Sequence, residues 1–236
     1  MLKIRLCFPD DSSDYLKQLL ISLHEHHDHR LPISHSATRG WFWDVRPNKT
    51  TYQAGHRQAR SETMNEFPWH TDCSYEDPPP RYFALQVLQH DRCGGGTLSV
   101  MNVDQFSKLL SPTTQEILKA PEFRFEIPPE FVKDPERRHI TGGVFVPSNQ
   151  STMIRFREDI LTPLTYRAGR ALEELKAVLL LQQSQEGSTI HLKSSDLPKG
   201  SIILIDNRRW LHARNDIKDP ERHLRRVRWD ACSFDT

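Results

Sequence analysis

The strongest constraint on this chain is a set of short apolar runs that never reach helical length. "RYFALQVLQ" (81–89), "GTLSVMNV" (96–103), "EFRFEIP" (122–128), "TMIRF" (152–156), "TIHLK" (189–193), "GSIILIDN" (200–207) and "RHLRRVRWDACSF" (222–234) are rich in β-branched and aromatic residues. Most are bounded by Pro, Gly or polar turns, as strands on a pleated, half-buried surface require. Sixteen prolines against ten glycines point the same way, to a chain of strands and loops.

Three stretches have helical spacing instead. "SSDYLKQLLISLHEHHDH" places Leu16, Leu19, Leu20 and Leu23 on one face behind Ser12 or Ser13 as N-cap. "VDQFSKLLSPTTQEILKA" (103–120) is broken at Pro112, and "PLTYRAGRALEELKAVLLLQQSQ" (163–185) follows. Strands framing a helical insertion predict a mainly β fold with flanking helices, a jelly-roll or sandwich core. At 236 residues and 36% hydrophobic composition, with no dividing linker, one domain over 1–236 is expected.

Lys plus Arg number 32 against 31 Asp plus Glu, which disfavours a general nucleic-acid binder and favours a small-molecule partner. The start "MLKIRLCFPDD" has no signal-peptide run, and "AVLLL" (177–181) is too short to span a bilayer. No membrane partner and a cytoplasmic location are therefore expected. Cys7, Cys73, Cys93 and Cys232 lack CxxC spacing and read as free thiols.

"LHEHHDHRLP" (23–32) carries four histidines. At 100° per residue His27 falls on the leucine face, His24 and His26 flank it, and His29 points nearly opposite, so the four cannot converge on one ion. A solvated helix end is the expectation. "NEFPWHTDCSYEDPPP" (65–80) is the better metal candidate, because His70 and Asp72 leave the same face of an extended chain. Two histidines and a carboxylate leave positions open on octahedral iron(II). The third ligand is sought on a distant strand, where "LPKGSIILIDNRRWLHAR" (197–214) presents His212.

On "HTD", "GGGT", "LPKGSIILIDNRRWLHAR" and "RHLRRV", in that order, the chain resembles the iron(II) and 2-oxoglutarate dependent dioxygenases of the taurine dioxygenase (TauD/TfdA-like) group, in the clavaminate synthase-like superfamily. The resemblance runs from about Gly40 to Trp229 and implies a double-stranded β-helix (jelly-roll) core. It implies Fe(II) on His70, Asp72 and His212, and 2-oxoglutarate held at its distal carboxylate by Arg222 and the Thr97 hydroxyl. With O2 the family converts 2-oxoglutarate to succinate and CO2 while oxidising an unactivated C–H bond, by default to a hydroxyl. The spacing of 140 residues from Asp72 to His212 resembles the taurine dioxygenase arrangement more than AlkB-type demethylases or prolyl hydroxylases. Asp72 disfavours halogenation, since related halogenases put a small residue there.

The resemblance implies a second arginine four residues after Arg222 on the same strand face, which in several relatives holds a substrate carboxylate or sulfonate; Arg226 fits it and is the leading reader of an anionic, amino-acid-like substrate, against the plainer reading of a surface ion pair. Arg155 and Tyr75 are further substrate candidates. Trp41, Phe42 and Trp43 offer an aromatic wall, with Trp43 the substrate candidate and core packing the rival reading. "QAGHRQARSETMNE" (53–66) lacks apolar periodicity and reads as a loop over the entrance. Three alternatives remain within reach of the motifs: a hydroxylase of a γ-butyrobetaine-like cationic substrate, a non-oxidative cupin-like metal protein, and a catalytically silent binding protein that uses the fold as a scaffold. Oligomeric state is not encoded in any of these features.

Overall fold

The computed structural model describes residues 1–34, 40–47, 59–146, 152–183 and 189–231. The chain opens with β1 (Leu2–Arg5), α1 (Asp14–His26), β2 (Trp43–Val45), β3 (Phe67–His70), β4 (Tyr82–Gln89) and β5 (Leu98–Asn102). Then come α2 (Val103–Ser107), α3 (Pro112–Lys119), β6 (Phe123–Glu126), β7 (His139–Gly142), β8 (Phe145–Val146), β9 (Met153–Ile154), β10 (Leu161–Pro163) and α4 (Tyr166–Gln183). It closes with β11 (Thr189–Leu192), β12 (Ser201–Asp206), β13 (Trp210–Arg214) and β14 (His223–Trp229).

Two antiparallel sheets carry the architecture, ordered β1-β12-β4-β14-β2 and β11-β5-β13-β3. They face one another across Phe83, Val100, Ile203 and Ile205. β4 and β12 read as nearly continuous apolar runs because both faces are covered. Ala84, Ile202, Val227 and Trp229 turn outward and are sealed by Leu16 and Leu20 of α1. Ser13 is the N-cap residue, but with φ 66 and no side-chain cap bond. The carboxylate of Asp10 takes over, accepting the N–H of Asp14 at 2.8 Å and of Tyr15 at 3.3 Å.

Between β5 and β11 lies the helical insertion, with its own core of Phe106, Leu118, Phe123, Phe125 and Leu175. Its small sheet runs β10-β6-β7. The break at Pro112 is a new helix start: Pro112 takes the first position of α3 while Ser111 accepts the Thr114 N–H at 3.3 Å. Among the described residues no helix is long and apolar enough to cross a membrane. Cys7, Cys73 and Cys93 are free thiols; Cys232 lies outside the described residues.

Candidate metal centre and its two cavities

β13 lies between β5 and β3 in the smaller sheet, and its register sets His212 directly opposite His70. That pairing closes the long sequence gap. Asp72 follows β3 by two residues, and one ligand atom from each of His70, Asp72 and His212 falls within 4.8 Å of the others. All three residues are buried. The Nε2 atoms of His70 and His212 lie 4.0 and 3.8 Å from Asp72 Oδ1.

The local chemistry prepares these groups as ligands. His70 Nδ1 lies 2.7 Å from the Pro68 carbonyl and donates to it, which leaves Nε2 as a lone-pair donor. Burial, with His212 beside it, pushes the His70 pKa well below the ordinary imidazole value, so the ring is neutral. Burial alone would raise Asp72; the nearby Arg226 and His212 outweigh it and hold the carboxyl well below the usual range. Phe67 stacks on His70 at 3.6 Å between centroids, and Phe83 packs on His212 at 4.6 Å. Asp72 Oδ2 is enclosed, with no hydrogen-bond partner among the described residues. An enclosed carboxylate oxygen beside the neutral His70 imidazole and the ring of His212 fits a divalent cation of the iron(II) kind, which would take up that vacant acceptor.

Asn207, at the β12–β13 turn, grips the Asp72 backbone from both sides. Its Oδ1 accepts the Asp72 N–H at 2.7 Å, and its Nδ2 donates to the carbonyls of Asp72 at 2.8 Å and Pro80 at 2.9 Å. Sequence reasoning missed this residue, because Asn in a turn after an apolar strand is ordinary turn chemistry.

Against the triad opens a cavity of about 810 Å³, counting its mouth, lined by His70, Asp72, His212, Phe83, Arg214 and Arg222 among others. Arg222 is buried, and its enclosed Nη1 has no hydrogen-bond partner among the described residues. Burial, then the charge of Arg214, lowers its pKa to about 9, so it stays cationic at neutral pH. Thr97 is not among the lining residues: Leu98, the next residue, faces the cavity. The Thr97 backbone N–H is taken by Asn215 Oδ1 at 2.7 Å. Arg214 donates to the carbonyls of Thr63, Asn65 and Asn215, which ties down the end of the 53–66 loop; residues 53–58 lie outside the described residues.

A smaller cavity of about 330 Å³, which shares Phe67, His70, Asp72 and Arg226 with the first, is lined also by Arg60, Tyr75, Phe131, Arg157 and Arg228. Arg226 borders both cavities and donates from Nη1 to Asp72 Oδ1 at 3.0 Å. Tyr75 stacks on Phe131 at 5.1 Å, and burial pushes its phenol pKa well up, so it remains protonated. Arg155 lines neither cavity; it pairs with Asp77 at 2.8 Å beside the Phe125 ring. Two residues on, Arg157 does reach the site, bonded to Asp159 at 2.8 Å and packed over Phe67. Trp43 packs against Phe131 at 5.8 Å within a buried cluster and lines neither cavity. The opening histidines sit elsewhere: α1 ends at His26, His24 Nδ1 bonds the His29 carbonyl, and His29 Nδ1 accepts from the Trp229 indole at 2.8 Å.

The sequence matches the taurine catabolism dioxygenase TauD, TfdA family over residues 25–228. It is 28% identical over 149 residues to the L-asparagine oxygenase of Streptomyces coelicolor, covering 63% of this chain and 41% of that protein. The chain thus spans less than half the length of this curated relative. Among solved structures, asparagine oxygenase with Fe(II), 2S,3S-3-hydroxyasparagine and succinate superposes with TM-score 0.67 at 23% identity, over 85% of this chain and 60% of that one. The non-heme iron oxygenase OrfP with Fe, succinate and (3S)-hydroxy-L-Arg gives TM-score 0.68 at 15% identity, over 93% and 68%.

Proposed function

Because this chain belongs to the taurine catabolism dioxygenase TauD, TfdA family, we propose that it is an iron(II)- and 2-oxoglutarate-dependent oxygenase acting on a small, anionic, amino-acid-like substrate. The observation that carries the reading is the buried His70, Asp72 and His212 cluster, with Asp72 Oδ2 left for a cation. The reading gives the two facing sheets the name of a jelly-roll, or double-stranded β-helix, core. When bound together with O2, iron(II) and 2-oxoglutarate supply an oxidant able to break an unactivated C–H bond, with release of succinate and CO2.

The chain's own residues do the rest. His70 Nε2, Asp72 and His212 hold the ion, and Arg226 keeps the Asp72 carboxylate ionised and oriented. Arg222 Nη1 is the group left to receive the distal carboxylate of 2-oxoglutarate in the larger cavity. Phe67, Phe83 and Leu98 keep water from that chelate by covering the two histidines and the cavity wall. Arg157 and Arg226 in the smaller cavity favour a substrate carboxylate, and the same concentration of guanidinium groups disfavours a γ-butyrobetaine-like cation. The hydroxylated amino acids bound in the solved relatives support an amino-acid-like substrate. A cupin-like, non-oxidative role would have no use for the unpartnered Arg222.

The test is anaerobic absorption spectroscopy with Fe(II) and 2-oxoglutarate. A weak visible charge-transfer band should appear, vanish in His70→Ala, and persist when His24 and His27 are both changed to Ala. Folded protein without the band would remove the oxygenase reading. With the band in hand, succinate release in the presence of individual amino acids, acidic and amide first, identifies the substrate.

A further inference from the structure

Arg222 shares the larger cavity with a buried carboxylate, Asp91, yet its Nη1 finds no partner among the described residues. A guanidinium and a carboxylate in one buried pocket ordinarily form a charge-assisted pair. They do not here because Asp91 is already saturated. Oδ1 accepts the N–H groups of Cys93 at 2.8 Å and Gly95 at 3.1 Å, and Oδ2 accepts those of Lys218 at 2.7 Å and Asp219 at 3.1 Å.

Those four donors belong to two loops, one leading into β5 and the other into β14, and Asp91 joins them. The Gly96 N–H donates to the Asp216 carbonyl at 2.8 Å, and Arg92 forks onto Asp219 at 2.5 and 3.0 Å. The Arg222 N–H in turn donates to the Asp219 carbonyl at 3.0 Å. The approach is too close for side chains: a Cβ on Gly95 would sit 2.5 Å from the Asp216 carbonyl oxygen and 2.6 Å from Asp91 Oδ2. Gly96, at φ +67, lies directly under the arginine, where a Cβ would come 2.8 Å from Arg222 Nε. Gly95 therefore serves the close approach of the two loops, and Gly96 the arginine above it.

We propose that Asp91 is a positioning residue for the cosubstrate: by bracketing the 91–97 and 215–222 loops it fixes the Arg222 guanidinium over Gly96 and leaves it free for a ligand carboxylate. This rests on the reading of Arg222 as the 2-oxoglutarate anchor. Asp91→Asn keeps the shape but puts an amide NH2 where two N–H donors need an acceptor, so the bracket opens on one side.

The experiment is an anaerobic titration of the Fe(II)-loaded protein with 2-oxoglutarate and with 2-oxopentanoate, which chelates identically but has no distal carboxylate. The wild type should prefer 2-oxoglutarate strongly. Arg222→Gln should erase that preference, and if it does not, the reading of Arg222 falls. Asp91→Asn should cut the preference by about tenfold or more, chiefly by weakening 2-oxoglutarate, the size expected when an outer residue orients a ligand-binding group. Gly95→Ala, which strains the same bracket with Asp91 intact, should do likewise. If Arg222→Gln erases the preference while Asp91→Asn leaves it intact, or weakens both acids equally, Asp91 has no positioning role. Failure of both bracket variants to fold would assign it to folding alone and overturn the proposal.

Discussion

The helical insertion and the metal centre are both buried, but they are built from opposite materials. In the insertion, Leu118, Phe123, Phe125 and Leu175 are fully buried hydrocarbon. At its rim Glu174 satisfies the Ser111 N–H and hydroxyl and the Thr114 hydroxyl. Around the metal centre, Asp72 Oδ2, His212 Nδ1, Arg222 Nη1 and Arg226 Nε are enclosed and find no hydrogen-bond partner among the described residues. Each such atom costs about 1–3 kcal/mol. A fold keeps that many in one place where a ligand completes them. One region therefore supplies stability and the other spends part of it on function.

Phe123→Ala should break this division most severely on the stability side. Removing a fully buried aromatic ring costs about 3–5 kcal/mol, read as a lower urea midpoint. Metal affinity of the remaining folded protein should be unchanged; a parallel loss would mean that the two regions are not separable. Asn207→Ala is the converse. It strips the Asp72 backbone of both its side-chain partners, and the expected outcome is a drop of about 10- to 100-fold in metal affinity, measured by competition with a chelator. Full-strength metal binding in Asn207→Ala would show that Asp72 is positioned by its own strand.

The smallest effect belongs to neither region. His223 and Arg225 hold Asp44 on β2 well below its usual value of 3.8. A carboxylate depressed in the folded state adds stability that is complete above the ordinary value and is lost as pH falls through the folded one. Asp44→Asn should therefore lower stability at neutral pH by less than about 1 kcal/mol, since the pair is partly exposed, and the difference should fade in acid. A difference that grew as pH fell would reverse the assignment.

Much of the fold was legible from local pattern. "RYFALQVLQ" and "GSIILIDN" became β4 and β12, and the interruption at Pro112 became the start of α3. The short edge strands β1 and β2 were not, because their pairing with β12 and β14 rather than their own composition makes them strands. At the site, spacing sufficed to single out His70 with Asp72 and to look for His212 on a distant strand, although Asp72 reaches His70 from the turn after β3 and not from one face of an extended strand. It could not tell Arg155 from Arg157, since both lie in an irregular stretch after β9 where direction is set by partners, Asp77 for one and Asp159 for the other. It also could not show that Leu98, not Thr97, turns into the cavity, or that Trp43 is packed against Phe131.

Residue type and periodicity by themselves determined that this chain builds strands, where its helices break, and which side chains could bind a metal. Those properties depend on sterics and hydrophobic pattern within a few residues of chain. Only the tertiary structure decided that Asn207 grips Asp72, that Asp91 is saturated by two loops, and that Arg222 is left over. Hydrogen-bond partners in a buried site are settled by which distant backbones arrive within about 3 Å, and no local pattern encodes that distance.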